Sequence, residues 1–245
     1  MKFIAHRGYS SAYPENSLPA FEAVVNHPQN GRSLAGIELD IHLTADGRIP
    51  VMHETTLPDE NGRSVPVASH TFIGLQRNFK RFHGEGSPAI PAIEEVLELV
   101  KHRTELCFEV KTGSYDVKRF AAVFASALKN YVPRDDVTVS SFSFQILDYL
   151  RPFLGGLDLR YGYIFKSADA LMLPAAAINR FDYLHPWYRL LFDSPETFAG
   201  HGIPVRCWTV NDPATVQSLT ALSCRLPIAA VMTDDIALAE TAADG

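Results

Sequence analysis

Cysteine is scarce in this 245-residue chain: only Cys107, Cys207 and Cys224 occur, an odd number with no CxxC pair. That usage argues against a disulfide framework and against a cysteine-based zinc site, and it favours a reducing compartment. Long apolar runs are also missing. No stretch approaches the ~20 apolar residues of a membrane-spanning helix. The opening MKFIAHRG turns polar too soon to form the apolar region of a signal peptide, so the expected location is the cytoplasm. There is no excess of positive charge. The 22 Lys and Arg stand against 28 Asp and Glu, and the net charge of −6 argues against a nucleic-acid footprint and against a basic membrane-binding face. No internal repeat or low-complexity tract occurs.

What the chain does contain is a regular alternation. Short apolar segments at 2–6, 36–43, 105–111, 137–141, 159–165, 183–186, 204–210 and 229–233 read as strands, and helical patterns lie between them. Asn16, Ser17 and Pro19 open one helix, with Leu18, Phe21 and Val25 on one face. Pro91 precedes Ile93, Val96, Leu97 and Val100 at helical spacing. Val117, Phe120, Ala121, Phe124 and Leu128 repeat the pattern, and Asp212-Pro213 is a cap-plus-proline start before Val216 and Leu219. Eight strands with helical crossovers predict an α/β fold, a TIM-type (β/α)8 barrel over residues 1–245 as one domain; an open doubly wound sheet is the competing architecture. One connection is anomalous. About forty residues separate the second strand from the Pro91 helix, against ~2–6 for an ordinary strand-to-helix loop. This predicts an irregular insertion, roughly 54–88, over the C-terminal mouth of the barrel, acting as a lid or substrate-selecting wall rather than as a neutral surface loop.

The second strand, GIELDIHL, alternates. Ile37, Leu39, Ile41 and Leu43 share one face, and Glu38, Asp40 and His42 share the other. In a barrel the apolar set meets the helices, so the acids point inward, where unpaired carboxylates are costly. The third strand, ELCFEVK, sends Glu109, Lys111 and Cys107 to the same side. Glu38, Asp40 and Glu109 therefore make a hard-oxygen site for one divalent cation, Mg²⁺ or Ca²⁺ rather than zinc. Lys111 is a phosphate contact or a salt-bridge partner of these acids. His6 and Arg7 end the first strand and His53 follows the acidic one. Arg7 has the fork for a bidentate phosphate contact, and two histidines beside a metal site can serve as acid and base.

In sum these segments resemble the glycerophosphodiester phosphodiesterase family, in its short cytoplasmic bacterial type. The resemblance is carried in order by HRG and PEN (His6 to Gly8, Pro14 to Asn16), ELD (Glu38 to Asp40) and IPVMH ending in His53. IPAIEEVL from Ile90, FEVK with Glu109 and Lys111, SSF at Ser140 to Phe142, WTVN from Trp208 and MTDD ending in Asp235 continue it. It implies hydrolysis of glycerophosphodiesters to glycerol 3-phosphate and an alcohol. It implies one cation on Glu38, Asp40 and Glu109, His6 and His53 as the acid–base pair, and Arg7 and Lys111 on the phosphate. Glu15 is expected near or in the metal shell, with helix capping as the alternative. Phe142 and Trp208 are expected to wall the glycerol side, with mouth packing as the alternative. The chain departs from the family in having Glu54 after His53 where Asp is usual. Two other functions stay open: a phospholipase-D-like lyase acting on lysophospholipids, for which Phe72, Ile73, Leu75, Phe79 and Phe82 would line an acyl groove, and a non-catalytic barrel that binds a phosphorylated ligand. The expected partner is a small-molecule diester, with neither nucleic acid nor an integral membrane segment, and a homo-oligomer is left open.

Overall fold

The computed structural model describes residues 1–241 apart from 32, 85, 114, 130 and 132–136. Among the described residues ten strands follow one another: β1 (Lys2–His6), β2 (Leu34–Ile41), β3 (Thr56–Pro58), β4 (Ser64–Pro66), β5 (Glu105–Val110), β6 (Val137–Ser141), β7 (Arg160–Phe165), β8 (Tyr183–Pro186), β9 (Val205–Cys207) and β10 (Ile228–Thr233). Eight of them close a parallel barrel in the order β1-β10-β9-β8-β7-β6-β5-β2. Each of the eight expected strands is one of these. The second begins and ends two residues earlier than its apolar pattern suggests, and β9 is only three residues long.

The alternation along β2 and β5 has the predicted consequence. Ile37, Leu39, Ile41, Leu106, Phe108 and Val110 are fully buried in the layer between barrel and helices. The helices form where apolar spacing and caps coincide. In α1 (Leu18–Val25) the Ser17 hydroxyl accepts from the Ala20 amide and Pro19 sits in the first turn. Later in the chain Pro213–Leu222 begins where Asp212 accepts from the Thr215 amide at 2.8 Å. Inside the barrel, Ile4, Cys107, Ala230 and Met232 form a small apolar layer with Trp208 against it. Below that layer Arg206 pairs with Glu105 and lies 3.5 Å from the Tyr183 ring centre. These side chains fill the middle and the N-terminal end of the barrel. Cys107 belongs to this filling: its Sγ lies 3.6 Å from Ser140 Oγ, and burial pushes its thiol up, away from reactivity.

The expected irregular insertion is instead regular. It contains the β3-β4 hairpin and a twelve-residue helix, α2 (Phe72–His83), capped by Thr71, whose hydroxyl accepts from the Gly74 amide. Residue 85 lies outside the described residues. Polar turn composition masked a segment that closes a small separate core, in which Met52, Leu57, Val67, Leu75 and Ile90 pack together with Phe79 against them. Asp46 anchors the start of α2 by accepting from the Phe72 amide at 3.0 Å.

Candidate active site

Register brings the acids together. Asp40 on β2 lies opposite Glu109 on β5, and His6 on β1 lies opposite Glu38 on β2. The carboxylates of Glu38, Asp40 and Glu109 each place an oxygen within 4.8 Å of the other two. Glu38 and Asp40 are buried, 3% and 1% exposed, and Glu38 Oε1 accepts no hydrogen bond. Burial, Asp40 and Glu109 push the Glu38 carboxyl well above its ordinary value. Burial also raises Asp40, but Lys111, Arg7 and the Asn16 amide outweigh it and hold that carboxyl below the usual range. Among the described residues no other group of metal-ligating side chains comes together. Three converging oxygen ligands, with the buried Glu38 Oε1 left unsatisfied, fit a hard divalent cation.

The cations present are shared among these acids. Lys111 Nζ sits 3.0 Å from Asp40 Oδ1 and 2.7 Å from Glu109 Oε1, so the salt-bridge alternative for Lys111 is realised. Arg7 Nε lies 3.2 Å from Asp40 Oδ2, and its Nη1 donates to both oxygens of Glu15 at 3.0 and 2.9 Å. Glu15 therefore braces Arg7, and the helix cap is Ser17. Arg7 occupies the left-handed region with φ 57°, an unfavourable conformation for a side chain that large. Its amide donates to Glu38 Oε2 at 3.2 Å, which helps to hold it there. Gly8 completes the turn with φ 82°, where a Cβ would come within 2.8 Å of Ala20. Glu15, Asp40 and Glu109 thus share the two side-chain cations, and Glu38 has neither as an ion-pair partner among the described residues.

The two predicted histidines flank this cage. Met52 donates its amide to the Asp40 carbonyl at 3.0 Å, so the chain rejoins the end of β2 and delivers His53 one residue later. His53 lines one cavity of about 280 Å³ with His6, Arg7, Glu38, Glu109 and Lys111. Burial and the nearby Lys111 lower the affinity of His53 for a proton. Phe142 and Trp208 line the same cavity, their rings edge-to-face at 5.6 Å, and Trp208 Nε1 donates to the His185 carbonyl at 2.8 Å.

Several participants escape sequence reading. Asp234 Oδ1 lies 2.6 Å from His6 Nδ1, while the other ring nitrogen, Nε2, lies 4.0 Å from Glu38 Oε2. Asp234 is fixed in turn by Asn211 and Ser10, and although burial raises its carboxyl, bonds from His6, Asn211 and Ser10 hold it below the usual range. Asn16 donates to Asp40 Oδ2 at 2.8 Å and accepts from the Asp40 amide. Lys166 stands 5.4 Å from the Trp208 ring centre at the rim, and His185 lies in the floor with neither ring nitrogen bonded. Asp234 and Asn16 lie within or beside the quoted MTDD and PEN segments, which was the one available signal. Lys166 and His185 had none beyond their places at strand ends.

The glycerophosphoryl diester phosphodiesterase family model matches residues 6–238. The chain belongs to that family. As a member it is a glycerophosphodiester phosphodiesterase, a phosphoric diester hydrolase. A glycerophosphodiester phosphodiesterase of Bacillus altitudinis is 34% identical over 146 residues, 58% of either chain. One from Caldanaerobacter subterraneus is 28% identical over 95% of this chain and 93% of the relative. Among solved structures, the glycerophosphodiester phosphodiesterase of Thermotoga maritima superposes with a TM-score of 0.73 at 26% identity, covering 98% of this chain and 97% of that one. A phosphodiesterase of Oleispira antarctica, determined in complex with the product sn-glycerol 3-phosphate, superposes with a TM-score of 0.76 over 100% and 97% at 21% identity, a likeness of fold.

Proposed function

We propose that the protein hydrolyses glycerophosphodiesters to glycerol 3-phosphate and an alcohol, with a divalent cation of the Mg²⁺ or Ca²⁺ kind held by Glu38, Asp40 and Glu109. The observation that carries the metal requirement is the cage: three carboxylates converge at the strand ends, with Glu38 Oε1 buried and unbonded. When bound, the cation supplies electrostatic stabilisation of negative charge on the phosphoryl oxygens. Arg7 and Lys111 add fixed positive charge on the same side.

The Asp234 carboxylate orients His6 through Nδ1, which leaves Nε2 directed to the cage side as general base. Nε2 takes a proton from the attacking hydroxyl while the new O–P bond forms. His53 gives a proton to the alcohol oxygen as the old P–O bond breaks. Lowered proton affinity makes His53 a stronger acid than free imidazole. The attacking hydroxyl belongs to water, or to the glycerol 2-position with water opening the resulting cyclic phosphate. Phe142 and Trp208 provide apolar faces for the glycerol carbons. The residues of the insertion, over the second cavity described below, serve as the substrate-selecting wall of a single barrel domain. A coupled assay for glycerol 3-phosphate, run with chelator and with Mg²⁺ or Ca²⁺ restored, tests the reading. Turnover that survives complete chelation refutes the role given to Glu38, Asp40 and Glu109.

A further inference from the structure

Next to the reaction cavity lies a second and larger one, of about 550 Å³, and His53 lines both. Its walls come from the turn after β1, from the residues following His53, and from α2 with the 86–91 segment. These walls are held in place. Gln76 on α2 accepts from the Ile90 amide at 3.0 Å and donates to the Ile90 carbonyl at 2.5 Å. Asn78 donates to the Pro58 carbonyl at 2.8 Å, and Leu75 packs fully buried against Met52 and Ile90. The cavity is a built space that shares His53 with the reaction cavity.

Its chemistry is selective. Neither lysine nor arginine is among its described lining residues, whereas Glu15 and Glu54 are. Glu15 spends its charge on Arg7. Glu54 has no ion pair or hydrogen bond among the described residues, so its charge is the one uncompensated there. Phe79 presents a ring braced by His83, stacked at 4.3 Å between centres, and the remaining lining mixes Met52, Ile90 and prolines with Asn16, Ser17 and Ser87. A carboxylate and an aromatic face lining one cavity that holds no lysine or arginine among its described residues suit an alkylammonium group.

We infer that this cavity is the leaving-group subsite, and that Glu54 and Phe79 select diesters whose alcohol carries a positive charge, such as choline or ethanolamine. The inference rests on the reading of His53 as the acid for the leaving alcohol, since a chain attached to that oxygen passes His53 into the second cavity. It also gives a role to the glutamate that stands where the family usually has aspartate.

The experiment compares kcat/KM for glycerophosphocholine and glycerophosphoglycerol by glycerol 3-phosphate release with the cation present. The wild type favours the choline diester. Glu54→Gln lowers the choline-to-glycerol ratio about three- to tenfold, chiefly through KM for the choline diester, and Phe79→Leu lowers it in the same direction. Glu54→Asp keeps most of the preference, and Glu60→Gln, which removes a carboxylate 3.8 Å from Arg81 and outside the cavity, leaves the ratio as it was. A ratio unmoved by Glu54→Gln, or a wild type that prefers the neutral diester, overturns the inference while hydrolysis itself stands. Higher kcat/KM for lysophosphatidylcholine than for glycerophosphocholine also overturns it, because the cavity then seats an acyl chain. Release of glycerol 3-phosphate from neither diester would mean that the underlying hydrolytic reading had failed.

Discussion

Replacing Glu38 by Gln should stabilise the metal-free protein and abolish its response to metal. Glu38 is buried beside Asp40 and Glu109, and its Oε1 has no partner. An unsatisfied buried polar group costs about 1–3 kcal/mol, and more when charged. Glutamine keeps the volume and the acceptor for the Arg7 amide, and its NH₂ can donate to the neighbouring carboxylates. In chelator, Glu38→Gln should therefore gain about 1–3 kcal/mol, or roughly 2–10 °C in Tm for a chain of this size. In saturating cation the order should reverse. A ligand at about 1,000 times its Kd adds about 4.1 kcal/mol to the wild type, and the variant, with one ligand gone, gains little. The pH dependence gives a second signature. Because the folded Glu38 carboxyl is raised above its unfolded value, its contribution to metal-free stability is full below the unfolded value and lost as pH climbs through the folded one. Glu38→Gln should remove that part of the decline. Thermal denaturation with chelator, Mg²⁺ or Ca²⁺ at several pH values measures all of this. A variant less stable than wild type in chelator, or one that keeps the full metal-induced shift, refutes the reasoning.

Other perturbations probe the remaining parts. His6→Ala and His53→Ala should each lower kcat by about 10²–10⁴, and Asp234→Asn should cost less than His6→Ala because the imidazole stays but loses its orienting partner; initial rates decide this, and full turnover in either histidine variant contradicts the assignment. Gly162→Ala would bring a Cβ to 2.6 Å from the His185 ring, so its urea midpoint should fall by the equivalent of about 1–3 kcal/mol, and an unchanged midpoint would show that the floor of the site is loosely packed. Asp46 offers an acid-limb test. Burial raises its carboxyl, but the Thr44 hydroxyl and the Phe72 amide outweigh this and hold it below the usual range, so its contribution exists above the ordinary carboxylate value and is lost as pH falls through the folded one. Asp46→Asn should melt below wild type at pH 7, with the gap closing below about pH 4; a gap constant with pH would exclude the ionised form as the source.

Strand parity within a parallel barrel, buried on both faces, made the convergence of Glu38, Asp40 and Glu109 legible in the sequence. In GIELDIHL and ELCFEVK the period of two leaves no choice of face once the apolar residues must meet the helices. The family motifs then ordered His6, Arg7 and His53 around that cage. Local chemistry was similarly readable where one side chain decides it, as at the Ser17 and Asp212 caps. Tertiary structure alone decided the pairings across long sequence separations. Asp234 reaches His6 because β10 closes the barrel against β1, and Asn16 meets Asp40 because Arg7 and Asn16 both turn through positive φ. The insertion showed the limit in another way. Its small core draws on Met52 and Ile90 from outside the segment as well as Leu57, Val67 and Leu75 within it, and a hydrophobic face assembled from distant residues leaves no period in the sequence. The same assembly sets Glu54 and Phe79 around one cavity, an adjacency that exists only because α2 folds back over the end of the second strand.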